Sequence, residues 1–180
     1  ITAAQAVMKY QAGAFPGSPI NPGLMCAFAM YDLANVDVLG YDVVSNRPKV
    51  AAYRAPGAPI SSWAAECAID DLALKLGMDP IDLRMKNAAK QGSKTVYGVT
   101  HGVIGYEEVL QAAKAHPHWS APLGKNQGRG FATGFWFNIG GESTGAVFVN
   151  EDGTVNVVSG SPDIGGSRAS MVMMAAEVLG

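Results

Sequence analysis

Val50-Ala51-Ala52-Tyr53-Arg54-Ala55-Pro56-Gly57-Ala58-Pro59-Ile60-Ser61-Ser62 is the stretch on which the fold turns. Val50 to Tyr53 suit a short strand, Arg54 to Pro59 a loop of small residues, and the sequence after them a helix. Ser61 or Ser62 can cap that helix, because a side-chain oxygen there accepts a hydrogen bond from its unpaired N–H groups. Ala65, Ala68, Ile69, Leu72 and Leu76 recur at helical spacing and make an apolar stripe. Glu66, Asp70 and Asp71 fall on or near the polar side and read as a solvated face, not as paired acids. Gly77 is a left-handed stop. Asp79 then caps a second helix with Pro80 at its first position, followed by Ile81, Leu83, Met85 and Ala88.

Upstream, Val36 to Val44 alternate as a strand should, and Ser45 to Pro48 make a turn. Residues 1–30 are rich in Ala, Gly and Pro and include a loop, Gly13 to Pro19. Downstream, residues 91–106 are irregular, Glu107 to Ala115 form a short helix, and 116–128 read as a linker. From Gly130 the pattern turns to β. Thr144 to Asn150 and Thr154 to Ser159 flank Glu151-Asp152-Gly153, a hairpin signal. A loop, Gly160 to Gly166, leads to a last helix from about Arg168 to Leu179. The fold class is therefore α+β, with mixed strands and helices.

Composition narrows the function. The 180 residues suffice for one hydrophobic core. Apolar residues are 48% and charged residues 16%, below the usual share of about 25%. That excludes a disordered chain and implies that part of the surface is covered by something else. The 22 glycines call for many tight turns, or for loops whose backbone approaches a ligand. Thirteen basic and 15 acidic residues leave a net charge of −2 without a run of either sign, which excludes a nucleic-acid footprint. No stretch approaches the roughly 18 apolar residues of a membrane helix, and no signal peptide is visible. Cys26 and Cys67 form no C-x-x-C pair, so the chain builds no zinc or iron–sulfur site by itself. With structured sequence at both Ile1 and Gly180, the chain reads as an internal piece of a longer polypeptide.

Two places share one design: strand, small-residue loop, helix N-terminus. Arg54 opens the first loop; in the second, Gly165-Gly166-Ser167 runs into Arg168-Ala169-Ser170. Free N–H groups and a partial positive charge at a helix start suit an oxyanion, and Arg54, Arg168, Ser167 and Ser170 can add contacts. Strand–loop–helix turns also use Gly, Ser and Pro with no ligand at all. Phe135-Trp136-Phe137, beside glycines, is either the wall of a planar-ligand pocket or a core strand. His116 and His118 sit in a proline-broken linker as an exposed turn, and His101 has no obvious partner. No nucleophile–base signature is present, so no catalytic or metal-ligating residue is assigned.

Tyr53 to Pro59, with Ala65-Glu66-Cys67-Ala68-Ile69-Asp70-Asp71-Leu72-Ala73 and Leu76 to Asn87, resembles the molybdopterin-binding large subunit of the xanthine dehydrogenase/aldehyde oxidase family, the molybdenum hydroxylases. Tyr31 to Val36, Asn150 to Thr154, Asp163 to Gly166 and Ala175 to Gly180 agree with that family in the same order. The resemblance implies parts of two halves of that subunit. Residues 1–115 would be the first cofactor-binding region with the loop 53–59, residues 116–128 a linker, and 129–180 the start of the second region. It implies a molybdenum–molybdopterin cofactor, with the cytosine dinucleotide form as one variant. Arg54 and Ala55 would contact the cofactor from the first loop; Gly165, Gly166, Ser167 and Arg168 would do so from the second. Phe135 and Pro56 would face the substrate. The implied reaction is oxidative hydroxylation of an aldehyde or an aromatic N-heterocycle. The implied partners are the rest of its own large subunit, iron–sulfur and flavin (FAD) or haem-carrying cytochrome subunits, and a small-molecule substrate.

The sequence departs from the family in places. Gly166 stands where many relatives have Gln, leaving only backbone to contact the cofactor; Ser167 and Arg168 are candidates to compensate. Pro22 and Pro56 stand where purine oxidisers use Arg and an aromatic, which argues against a xanthine-like substrate. The general-base Glu of the family lies in a motif beyond this sequence, and Glu142 is a poor substitute. A structural homologue that packs in a complex without cofactor is the second reading, and molybdenum content separates the two. A cytoplasmic location is expected, with the periplasm as the alternative.

Overall fold

A computed structural model describes residues 1–137 and 141–180, which fall into two compact units, Ile1–Phe137 and Asn138–Gly180. In the first unit, β1 (Ala4–Gly13) and β2 (Val36–Val44) pair in parallel from Ala4 opposite Val36 onward, and helix α1 (Ile20–Cys26) lies in the connection between them. Along β1, Ala4, Ala6, Met8 and Tyr10 turn inward while Gln5, Val7, Lys9 and Gln11 face out. This strand was not expected within residues 1–30. Alanine has little β-propensity, so Ala4, Ala6 and the buried Ala12 blur an alternation that valine or isoleucine would have made plain.

The strand expected at Val50 to Tyr53 does not form. Val50 donates one backbone hydrogen bond to Ala12 O, at 2.9 Å. β1 ends at Gly13, so no partner remains for a ladder, and the chain runs on into the loop.

Helix α2 (Ala58–Leu76) starts earlier than a serine cap would place it, with Gly57 as N-cap. Ser61 is inside the helix and buried. The inward face is Ala58, Ser61, Ala65, Ile69 and Ala73, with Leu72 half-buried; Ala68 and Leu76 are exposed. The apolar stripe is thus real but rotated by a fraction of a turn. Gly77 ends the helix in the left-handed conformation. Helix α3 (Pro80–Lys86) follows as the sequence requires, Asp79 Oδ1 accepting from the N–H groups of Ile81 at 2.8 Å and Asp82 at 3.1 Å. Helices α4 (Tyr106–Ala115) and α5 (Pro117–Ser120) complete the unit.

Its core has two clusters. Ala27, Phe28, Tyr31, Ala65, Ile69, Ala73 and Leu83 join α2 to the inner face of the sheet. Ile81, Ala88, Tyr106 and Leu110 join α3 to α4. The expected β pattern from Gly130 to Phe137 yields no strand. That segment packs with the first unit, so the packing boundary lies beyond the linker expected at 116–128.

The second unit is an antiparallel hairpin, β3 (Gly145–Val149) and β4 (Val155–Ser159), followed by helix α6 (Ser167–Leu179). Both strands fall within a residue of the expected positions. No described residue of this unit is buried. Among the described residues no helix is long and apolar enough to cross a membrane.

Candidate functional site

The loop before α2 is built around two left-handed residues. Gly57 has φ +84°, and a Cβ there would stand 2.1 Å from the Pro19 carbonyl oxygen, so only glycine fits. Ala55 has φ +52°, a conformation that is strained for a residue with a side chain. Its carbonyl accepts from Ala58 N–H at 3.1 Å, closing a turn. The Gly57 carbonyl accepts twice, from Ser61 N–H at 3.2 Å and from the Tyr10 hydroxyl at 2.8 Å. Tyr10 is buried, and its hydroxyl also lies 2.6 Å from Ser61 Oγ. The loop is therefore pinned from below by β1. Above that anchor Arg54 is exposed and Ala55 and Pro56 half-buried. Among the described residues no carboxylate pairs with the Arg54 guanidinium.

The second loop is shaped differently. Gly165 and Gly166 are both left-handed, with φ +65° and +86°. Asp163 turns its carboxylate to the start of α6: Oδ1 accepts from Arg168 N–H and from the Ser167 hydroxyl, each at 3.3 Å. The Arg168 N–H, with Ser167 adding to it, holds the Asp163 carboxyl below the usual carboxylate range. Ser167 Oγ in turn accepts from Ile164 N–H at 3.0 Å. Two of the groups expected to meet an anion are thus already engaged by Asp163. Arg168 is exposed, and nothing stands within 4 Å of where a Gly166 Cβ would be.

Phe135 belongs to the first unit and is half-buried in the irregular segment 129–137. The His101 ring meets it edge-on, with centroids 5.8 Å apart, and His101 Nε2 lies 3.0 Å from the Ala29 carbonyl oxygen. Trp136 stacks on Phe137 at 4.3 Å. His101 thus has the partner that its sequence context did not reveal. His116 is a local cap: its Nδ1 accepts from His118 N–H at 3.1 Å.

Glu66 corrects the solvated-face reading of α2: it is 5% exposed. Its Oε2 accepts from Arg84 Nε at 2.9 Å, Thr133 N–H at 2.6 Å and the Thr133 hydroxyl at 3.1 Å; its Oε1 accepts from the Tyr31 hydroxyl. Arg84, fully buried, also pairs with Asp70 Oδ1 at 2.8 Å. Burial, and then the Glu66 charge, push the Tyr31 hydroxyl well above its ordinary range. Burial pushes Tyr106 up to about 12. Sequence alone did not expose this cluster, although a Glu on a stripe-flanking position and an Arg inside an apolar helix are the signal it leaves.

Comparison with known proteins agrees with the resemblance. Residues 1–88 match the molybdopterin cofactor-binding domain family. The aldehyde oxidoreductase of Megalodesulfovibrio gigas is 34% identical over 149 residues, covering 76% of this chain and 16% of that protein. The xanthine dehydrogenase molybdenum-binding subunit of Escherichia coli O157:H7 is 33% identical over 152 residues, covering 76% of this chain and 20% of that one. The crystal structure of the aldehyde oxidoreductase from Desulfovibrio desulfuricans superposes with a TM-score of 0.69 at 29% identity, over 87% of this chain and 19% of that chain. The chain therefore spans no more than a fifth of the length of these relatives. On this agreement of family, relatives and fold, the chain belongs to the molybdopterin-binding large-subunit family of the xanthine dehydrogenases and aldehyde oxidoreductases.

Proposed function

We propose that this chain contributes the cofactor-contacting loops of a molybdenum hydroxylase large subunit that oxidises an aldehyde or an aromatic N-heterocycle. The observation that carries the proposal is the Arg54 loop: an exposed guanidinium, with no carboxylate partner among the described residues, on a turn that is left-handed at Ala55 and fixed from beneath by Tyr10. An anionic pterin dithiolene, with or without a cytosine dinucleotide, fits such a donor. The charge of Arg54 is free to meet it, and the turn is rigid before the group arrives. When bound, the molybdenum centre supplies the redox chemistry, and an oxygen derived from water is added to the substrate carbon.

This chain's residues bind and orient. Arg54 and Ala55 hold the cofactor from the first loop; Gly165, Gly166, Ser167 and Arg168 are the candidates in the second. There the Arg168 guanidinium is exposed and the space beside the Gly166 Cα is open, while Asp163 engages Ser167 and the Arg168 N–H and the Gly166 carbonyl accepts from Ser170. Phe135 and Pro56 shape the space for a flat substrate. Residues 1–115 and 129–180 act as parts of the two cofactor regions, joined through 116–128. Electrons leave through iron–sulfur and flavin or haem groups on partner subunits or domains, in a cytoplasmic complex. A structural homologue without cofactor is the competing reading, and it draws on the Asp163 contacts and on Gly166.

Elemental mass spectrometry of the full-length complex separates the two. About one molybdenum per large subunit is expected. Arg54→Ala should lower molybdenum content at least severalfold with the subunit still folded. Wild-type metal content in that variant would remove Arg54 from the site, and a metal-free wild-type complex would overturn the proposal.

A further inference from the structure

The segment that carries Phe135 has no secondary structure of its own. Residues 129–137 make no described backbone–backbone hydrogen bond. Side chains hold the segment instead. At its start the Arg129 guanidinium donates to the Trp119 and Ala121 carbonyls, at 2.5 and 2.6 Å. In its middle Thr133 donates twice to Glu66, through its N–H and its hydroxyl, and its hydroxyl accepts from Tyr106 at 3.0 Å. Thr133 N–H to Glu66 is the bond that ties the main chain itself, two residues before Phe135.

The anchor is stiff. Glu66 is buried on α2, and its two oxygens take bonds from the region after α1 (Tyr31), from α3 (Arg84) and from the segment (Thr133). A carboxylate so fully bonded has no second arrangement of similar energy, because any rotation leaves a buried donor unpaired. The Phe135 ring meets the His101 ring edge-on, but its backbone is only as well placed as the nearest main-chain tie. We infer that Glu66, acting through Thr133, is the positioning residue that sets the Phe135 ring against a planar substrate. The inference rests on the proposed role of Phe135 and names the element of the fold on which that role depends.

Glu66→Ala removes both Thr133 bonds to the carboxylate but leaves Arg84 with a weaker partner set, so it threatens folding. Thr133→Val deletes the hydroxyl's bonds to Glu66 and from Tyr106 and leaves the N–H bond to Glu66 alone, which loosens the tie without touching the buried carboxylate; Thr133→Ser is its conservative control. Both are made in the full-length holoenzyme, with molybdenum measured in each. Two readouts are needed. Hydrogen exchange across residues 129–137 reports the anchor without catalysis. Calorimetric titration with benzamide, a planar probe, reports the wall, and KM and kcat for benzaldehyde report it in turnover.

With two of the three bonds at Thr133 lost and the N–H bond kept, Thr133→Val should speed exchange across 129–137 severalfold. It should weaken benzamide binding and raise the benzaldehyde KM by a similar factor, with kcat within twofold and molybdenum unchanged. Thr133→Ser should restore all of these. Faster exchange with unchanged benzamide affinity would overturn the inference, as would unchanged exchange. A molybdenum-bearing wild type that binds no benzamide would overturn it through Phe135. A wild type without molybdenum would instead strike at the proposed function, and that outcome is read separately by mass spectrometry.

Discussion

At the scale of single residues, Tyr10 shows how a loop is made rigid from outside itself. Its hydroxyl adds a second bond to the Gly57 carbonyl, which already closes the first turn of α2. Burial raises the Tyr10 hydroxyl above its ordinary range, so it stays a neutral donor at physiological pH. Tyr10→Phe keeps the ring and deletes the bond. One buried hydrogen bond contributes about 1 kcal/mol, so the full-length subunit should melt earlier by an amount of that order. Molybdenum retention should fall as well, because the Arg54 turn loses a support. A melting curve and metal content both equal to wild type would show that Ser61 alone fixes the loop. The residues that define this site divide by how they can be read. Arg54, Gly165 and Gly166 could be proposed from sequence because a distinctive motif surrounds them. Tyr10, Glu66 and Thr133 could not, because their partners lie 18 to 67 positions away and no local pattern records such a pairing.

At the scale of elements, α3 was the most legible helix, since its start is written in two adjacent residues. Asp79 does more than cap it. Its Oδ2 accepts from Trp119 Nε1 at 3.0 Å and so ties α5 to α3. Burial pushes the Asp79 carboxyl up, but the bonds from Trp119 and from the Asp82 and Ile81 N–H groups outweigh it and the net shift is downward. A depressed carboxyl contributes stability above its unfolded value, about 3.9, and loses it as pH falls through the lower folded value. Asp79→Ala should therefore cost about 1–2 kcal/mol at neutral pH. The gap between wild type and variant should close as the pH drops below about 4. A gap that is constant from pH 7 to pH 3, measured by denaturant unfolding of the subunit, would place the effect in packing and not in the carboxylate. The start of α2 was less legible for the opposite reason. Ser61 has the chemistry of a cap, but Gly57 opens the helix a turn earlier because its backbone must pass Pro19 at a distance no side chain allows. β1 was missed and the strand at 50–53 wrongly expected on the same ground: a strand exists where a partner is available, and the partner is not local.

At the scale of the whole molecule, the two units differ in how far they can support themselves. Ile1–Phe137 has two clusters of buried residues, a buried ion pair and a parallel strand pair whose inner face is covered. Asn138–Gly180 has a hairpin and a helix with no buried residue among those described, and Val149 and Val178 remain 70% and 86% exposed. A short piece can offset its chain entropy only by burying apolar surface or by covalent staples. This unit has no cysteine, and its hairpin and helix leave large hydrophobic side chains in water. The low charge of the chain, 16%, is the sequence's record of the same fact. The two units produced separately should therefore behave differently. Ile1–Phe137 should unfold cooperatively on heating, whereas a peptide of Asn138–Gly180 should show a coil-like circular dichroism spectrum at 25 °C and should bind a hydrophobic dye once associated. The hairpin turn Glu151-Asp152-Gly153 works against that outcome, since local turn chemistry favours pairing of β3 with β4 without any core. A monomeric peptide with a cooperative thermal transition would show that turn chemistry and the contacts of α6 suffice. It would also mean that the exposed valines and methionines are a surface and not half of an interior.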